Sequence, residues 1–327
     1  MNNEVLEFQK FRKRMAVLLE KILNVGYEGH DIKSPSSEIS KKHHYIPKYF
    51  INAFTDANKQ LFIYDKEKDI IRKNKNTSAG LFFEMHRNSL HLGGEDYLPI
   101  FEEFYCFSDN NFPYVLKLLW SDNPDLPQDE REHLMAHINI FILDLFLRNK
   151  NNDRFFDELF ERSEIEFENQ ELNEQSDLIR EYPGIKQLFR AKLLNVYINE
   201  FLNSDLGKFT RMRLIKFPDE QICIGDNPML FLNISGTPEA LFNSPLILPI
   251  SNRKLYLRNV ERQRPFSYLD ALLFNALVID QSSKIIACSS HKTLEDSIKT
   301  YHYIKKEDMC DSTLIGLFFD DDFDIKK

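Results

Sequence analysis

A chain of 327 residues with a formal net charge of −9 is long enough for one large domain or two ordinary ones, and too acidic overall for indiscriminate nucleic-acid binding. Ten glycines and no G-x-x-x-x-G-K-[ST] or G-x-G-x-x-G run argue against a standard nucleotide-binding loop and hence a nucleotide cofactor. No stretch reaches the roughly 18 uncharged apolar residues of a membrane span.

Charge is uneven along the chain. Residues 1–80 hold 15 Lys and Arg against 10 Asp and Glu, residues 81–180 hold 8 against 22, and residues 181–327 hold 19 against 19. The first segment is therefore the one face suited to a polyanion, and the acidic middle reads as the solvated side of helices. The four cysteines, Cys106, Cys223, Cys288 and Cys310, form no C-x-x-C pair and sit beside no histidine at zinc-finger spacing. That predicts reduced, mostly buried thiols in a cytoplasmic protein. Glu4 and Glu7, among the first apolar positions, speak against a signal peptide.

Residues 4–24 place Phe8, Phe11, Met15, Leu18, Leu19 and Ile22 at three- and four-residue spacings, which predicts an amphipathic helix that packs on the body, a protein partner or a second copy. A linker with Gly26, Gly29 and Pro35 follows to residue 40. Gln60–Tyr64 and Ile70–Lys73 flank a polar turn and predict a hairpin. Helices are predicted at 99–120, 129–150, 152–180 and 185–206, with Arg148–Arg180 too polar for a core position. Short strands follow at 212–217, 221–224, 229–233, 246–250 and 254–258. A helix at about 266–281, a strand at 284–288 and a helix at about 291–304 close the pattern.

The order of strand pair, helical block and sheet predicts an α+β fold: a central helical block at about 99–206 packed with a mixed or antiparallel sheet from the N-terminal hairpin and the C-terminal strands. The corresponding domain reading is a helix and linker at 1–40, one α+β domain at 41–305 with the helical insertion, and a strand and acidic tail at 306–327.

Three segments carry candidate chemistry. In Lys41-Lys42-His43-His44-Tyr45-Ile46-Pro47-Lys48, Pro47 ends a short strand and opens a helix, so His43 and His44 point to opposite faces. A cleft-facing histidine serves as a general base or a metal ligand, and Lys42 and Lys48 suit an anionic substrate; a capping and packing role for the pair weighs about equally. In Ile224-Gly225-Asp226-Asn227-Pro228 the Asp-Asn-Pro run is a turn signal, or else Asp226 supplies a carboxylate at a strand end. Asp144 and Arg148, four apart on an otherwise apolar helix, form either a helix-edge pair or part of a site. His86 and His91, five apart, are a weaker candidate.

The His-His-Tyr-Ile-Pro-Lys-Tyr-Phe-Ile-Asn-Ala-Phe run, with Leu61–Asp65, Asp144–Arg148, Gly225–Pro228 and Leu246–Leu255, resembles the bacterial domain-of-unknown-function family 4238 over about residues 41–300. Lys48, Gly225 and Asn252 stand where that family usually has Gln, Ser and Pro. The resemblance implies no established reaction. The His-His-aliphatic-Pro core is also similar to the first strand of ββα-metal nucleases, in which a histidine activates water beside one divalent ion.

The expectation is therefore a phosphodiester hydrolase, a nuclease in phage defence. His44, His43 and Asp226 would be its catalytic groups, Lys42, Lys48, Arg148 and Asn227 would bind substrate, and Asp226, Glu84 and Asp144 would hold Mg²⁺ or Mn²⁺. Nucleic acid would meet the basic N-terminal face. The alternative is a noncatalytic recognition protein in which the His-Pro segment and the Asp-Asn-Pro turn lock strands together, while helix 4–24 and the acidic helices bind a partner.

Overall fold

The computed structural model describes residues 41–93, 96–98, 105, 109, 112–113, 115–117, 119, 128–162, 185–203, 211–232, 238–262 and 265–307. The predicted helix at 4–24, the linker after it, and the segment 308–327 lie outside the described residues. The fold is α+β, with antiparallel sheets and separate helices.

The chain divides into two compact units. The first comprises residues 1–43, 85–106 and 156–196, the second residues 44–84, 107–155 and 197–327. Two of the boundaries between them fall within the strands β1 (Lys42–His44) and β4 (Phe83–Met85).

In the first unit, β5 (Leu90–Gly93) pairs with β6 (Asp96–Leu98) as a hairpin, with Leu90 opposite Leu98 and His91 opposite Tyr97. Most of helix α3 (Asp153–Arg162) packs there against the first half of α4 (Ile185–Asn203). The Phe160 and Phe189 rings lie 5.4 Å apart, Arg190 stands 4.4 Å over the Phe156 ring, and Lys186 bonds Asp157 at 2.8 Å. Of the polar stretch Arg148–Arg180, residues 163–180 lie outside the described residues; in the helix Phe156 and Phe160, four apart, are buried, while Arg154, Asp157, Glu158, Glu161 and Arg162 are exposed.

The second unit holds two four-stranded antiparallel sheets rather than one sheet. In one, β2 (Phe62–Asp65) lies between β3 (Ile70–Ile71) and β12 (Ile285–Cys288), and β8 (Ile224–Gly225) is the outer strand beyond β12. The predicted hairpin thus joins a C-terminal strand, as the sequence pattern requires. The other sheet runs β7 (Met212–Lys216), β11 (Lys254–Arg258), β10 (Leu246–Ser251), β9 (Leu230–Phe231). Continuous burial along β10 and β11 matches their unbroken apolar runs, and Pro249 sits beside a register shift, where a missing ladder donor is tolerated.

Helix α6 (Tyr268–Gln281) begins in a capping box. The Ser267 hydroxyl accepts from the Asp270 amide while the Asp270 carboxylate accepts from the Ser267 amide at 2.7 Å. Helix α7 (His291–Lys306) starts at Ser290, whose side chain accepts from the Thr293 amide, and ends with Lys305 and Lys306 at the negative end of its dipole.

The predicted strand 221–224 is shorter than expected because its donors are used elsewhere. The amides of Gln221 and Ile222 donate to Asn252 O, and that of Cys223 donates to the side chain of Asn275. Asn275, fully buried on α6, completes the arrangement by donating to Gln221 O and Ser297 Oγ.

Candidate functional site at a helix end

Helix α2 (Gln128–Arg148) stops where Asn149 turns to extended backbone, and a short 3₁₀ turn at Lys150–Asn152 follows. The asparagines here hold the turn. Asn152 donates to Phe146 O at 2.7 Å, satisfying one of the open carbonyls of the last helical turn, and Asn149 accepts from the Asn151 amide at 2.9 Å. Both Asn149 and Asn151 also donate to Asp226 O at 2.9 Å. The Asp-Asn-Pro turn is therefore fastened to the end of α2, which the run of asparagines after Arg148 could have signalled.

Asp226 is fully buried and its carboxylate is taken up by donors. Oδ1 accepts from the Ser283 amide at 2.8 Å and from Asn151 Nδ2 at 3.4 Å. Oδ2 accepts from the Ser283 hydroxyl at 2.9 Å, the Lys284 amide at 2.8 Å and the Ile285 amide at 3.1 Å. This arrangement closes the loop between α6 and β12, with Asp226 as its latch. Gly225 before it has no room for a side chain, because an added Cβ would stand 2.0 Å from Ser282 Oγ and 2.9 Å from Val278 Cγ1. Asn227 contributes its carbonyl, which accepts from Gln281 Nε2 at 2.6 Å.

His43 is likewise fully buried, and its Nδ1 accepts from the Asn88 amide at 2.7 Å. That bond ties His43 to the backbone 45 residues on, a structural role for this edge of the ring. His44 is half-buried in the second unit, its ring 5.8 Å from that of Phe83. Lys42 and Lys48 are exposed. Lys150 stands 5.1 Å over the Tyr45 ring and 4.0 Å from Glu84, so the 3₁₀ turn also touches the His-His-Tyr strand.

The Asp144–Arg148 pair lies inside the protein, with side-chain exposures of 0% and 2%, which rules out the helix-edge reading. Its shorter bond is to a residue that sequence reasoning missed. Arg148 Nη1 donates to Asp109 Oδ1 at 2.6 Å and Nη2 to Oδ2 at 3.4 Å, whereas Asp144 Oδ2 is 3.5 Å away. Asp109 is the acid that reaches solvent, with its side chain 37% exposed. Tyr49, two residues after Pro47, brings a buried hydroxyl that has no hydrogen-bond partner among the described residues. Burial pushes its phenol well above the ordinary range, and the Asp144 carboxylate adds to that while Arg148 opposes it.

The structure thus brings Tyr49, Asp144 and Arg148 together with Asp109. It does not assemble the expected metal set: Asp226 is bonded to its loop, Glu84 faces Lys150, and Asp144 faces Arg148. Among the described residues, no group of three or more His, Cys, Asp or Glu side chains is placed to hold a metal ion. His91 lies opposite Tyr97 in its hairpin.

Fold and site together define an α+β protein in which a buried arginine–carboxylate–tyrosine cluster closes the end of a long helix. The chain belongs to the family described as "Protein of unknown function (DUF4238)", whose sequence profile matches residues 42–292. No curated protein and no solved structure matches it. Among the described residues no helix is long and apolar enough to cross a membrane.

Proposed function

We propose that the chain is a phosphodiester hydrolase of the nuclease class whose anion-binding centre is Arg148, not the Asp226 turn. The observation that supports this is the unequal environment of the two acids on Arg148. Asp144 is sealed in, while Asp109, at the closer distance, reaches water. Two non-bridging oxygens of a phosphate meet the guanidinium fork as the two oxygens of a carboxylate do, so a phosphate can take the place of Asp109 on Arg148. Burying a charged pair such as Asp144–Arg148 is costly and core packing alone does not call for it, which makes such clusters functional-site candidates.

In this reading His44 accepts the proton of the attacking water, and Arg148, Lys150 and Lys48 offset charge on the phosphate. A divalent ion, if used, fits best at Asp109 and Asp144, two carboxylates that already share one cationic group; Mg²⁺ commonly takes one or two carboxylates and keeps its waters. That ion would supply a Lewis acid for the phosphoryl oxygen.

The test is an assay of the purified chain on supercoiled DNA, single-stranded DNA and total RNA, with Mg²⁺, Mn²⁺ or EDTA. We expect cleavage that falls by about 10²-fold or more in His44→Ala and in Arg148→Lys, with His44→Ala melting like the wild type. Absence of cleavage under every condition would sink the proposal.

A second reading has its own observations. His43 and Asp226, the most motif-like residues, direct their acceptors to backbone amides. A noncatalytic recognition protein, in which these segments lock strands, requires only that. Failure of the assay would favour it.

A further inference from the structure

Cys223 and Cys288 are both fully buried and both reduced. The antiparallel register of β8 and β12 sets Gly225 opposite Ile286 and Ile224 opposite Ala287, so the next position sets Cys223 opposite Cys288. The kind of pair follows from the hydrogen bonds. The Asp226 amide donates to Ile285 O at 3.0 Å, which makes 226/285 a hydrogen-bonded pair. Alternation along the ladder then makes 223/288 a non-hydrogen-bonded pair, and the Cys223 amide indeed donates outside the ladder, to Asn275 Oδ1. Such pairs hold their Cα atoms about 4.5 Å apart, within the roughly 4.4–6.8 Å that a disulfide spans.

We propose that Cys223 and Cys288 are a dithiol site that converts to a cross-strand disulfide on reaction with a low-molecular-weight disulfide such as oxidised glutathione. One cysteine thiolate attacks a glutathione sulfur, forming a mixed disulfide and releasing one glutathione thiolate. The other cysteine thiolate then attacks the protein sulfur of that mixed disulfide and releases the second. Two S–H bonds are lost from the protein, one S–S bond forms, and oxidised glutathione leaves as two reduced molecules that carry the two protons.

In the closed fold this exchange is slow, since burial and the neighbouring thiol both push the Cys223 thiol up. Access comes through β8, a two-residue strand at the edge of its sheet and therefore a natural place for local opening. Once formed, the bond would fasten the Gly225–Pro228 turn to β12 covalently, beside the Asp226 latch. This holds whether or not the chain is a hydrolase.

The experiment incubates the native full-length chain in glutathione mixtures spanning about −300 to −150 mV, followed by acid quench, alkylation and non-reducing peptide mapping. A second series adds denaturant just below the unfolding midpoint to promote opening. The expected result is a linked peptide pair containing Cys223 and Cys288, two hydrogens lighter than the separate peptides, and absent from Cys223→Ser and from Cys288→Ala. Because the wild-type map decides the matter, neither variant need fold well. Recovery of both cysteines alkylated at the most oxidising mixture in both series would overturn the proposal, as would linkage of either one only to Cys106 or Cys310.

Discussion

Replacing Asp226 by Asn tests whether this residue is a latch or a reacting group, because the change is nearly isosteric and alters only charge and one acceptor. In the wild type, Oδ2 accepts from Ser283 Oγ and from the Lys284 and Ile285 amides, and Oδ1 accepts from the Ser283 amide and Asn151 Nδ2. An asparagine must place its NH₂ group on one side or the other. The less costly choice keeps its oxygen on the three-donor side and aims NH₂ at the Ser283 amide and at Asn151, donor against donor. One buried backbone N–H then loses its partner, at about 1–3 kcal/mol, and the remaining bonds lose their charge assistance. The total comes to about 3–5 kcal/mol, or about 4–7 °C in Tm for a chain of this size. Thermal and urea unfolding would measure it, with Ser283→Ala, which removes only one hydroxyl donor, expected to cost about 1 kcal/mol. If Asp226→Asn melts within about 1 °C of the wild type while cleavage of nucleic acid disappears, the latch argument is wrong and Asp226 belongs to the reacting groups.

Three further outcomes follow from the same geometry. Gly225→Ala should destabilise by about 2–4 kcal/mol, since the new Cβ displaces the Ser282 hydroxyl from its 2.6 Å bond to Val278 O, and Ser282→Ala should recover part of that loss in a double-mutant cycle of denaturation midpoints. Arg258 is fully buried and donates to Asn139 Oδ1, Leu241 O and Ser244 O, with burial pushing its guanidinium down to about 10; Arg258→Met, which orphans three acceptors, should cost about 2–4 kcal/mol by urea unfolding. Burial pushes Asp270 up, but Ser267 and then Arg262 outweigh it and hold the carboxyl below its ordinary range; Asp65, through Arg72, ends low in the same way. A depressed folded value means stability that is present above the unfolded value of about 4 and lost as pH falls through the lower folded one. Tm should therefore fall as the pH drops below about 4, and Asp270→Asn should make that fall shallower.

Much of the fold is legible in the sequence because its signals are local. The apolar runs at 246–251 and 254–258, the Ser267–Asp270 capping box and the Ser290 cap fix their elements within a few residues. Strand β4 is not legible: it is three residues long, and its flanks, Phe82 and His86, take positive φ values of 52° and 57° without a glycine to announce the turn. Nor is the partner of Arg148. The Asp144 pairing follows from helical spacing, but Asp109 lies 39 residues away, and no pattern of residue types encodes that approach.

The candidate site shows how a sharp motif can arise from packing. An Asp-Asn-Pro turn reads as local chemistry, each side chain bonding its own backbone. Asp226 instead reaches amides 57 to 59 residues away, and His43 an amide 45 residues away. Where fixed buried donors converge on one point, only a residue of the right length and acceptor count fits, so the residue type is dictated by geometry and the motif is sharp. The same constraint takes up the lone pairs that a reaction would need. Chemistry is better sought where packing dictates less: at Asp109, partly open to water on a buried arginine, and at the Tyr49 hydroxyl beside the same cluster.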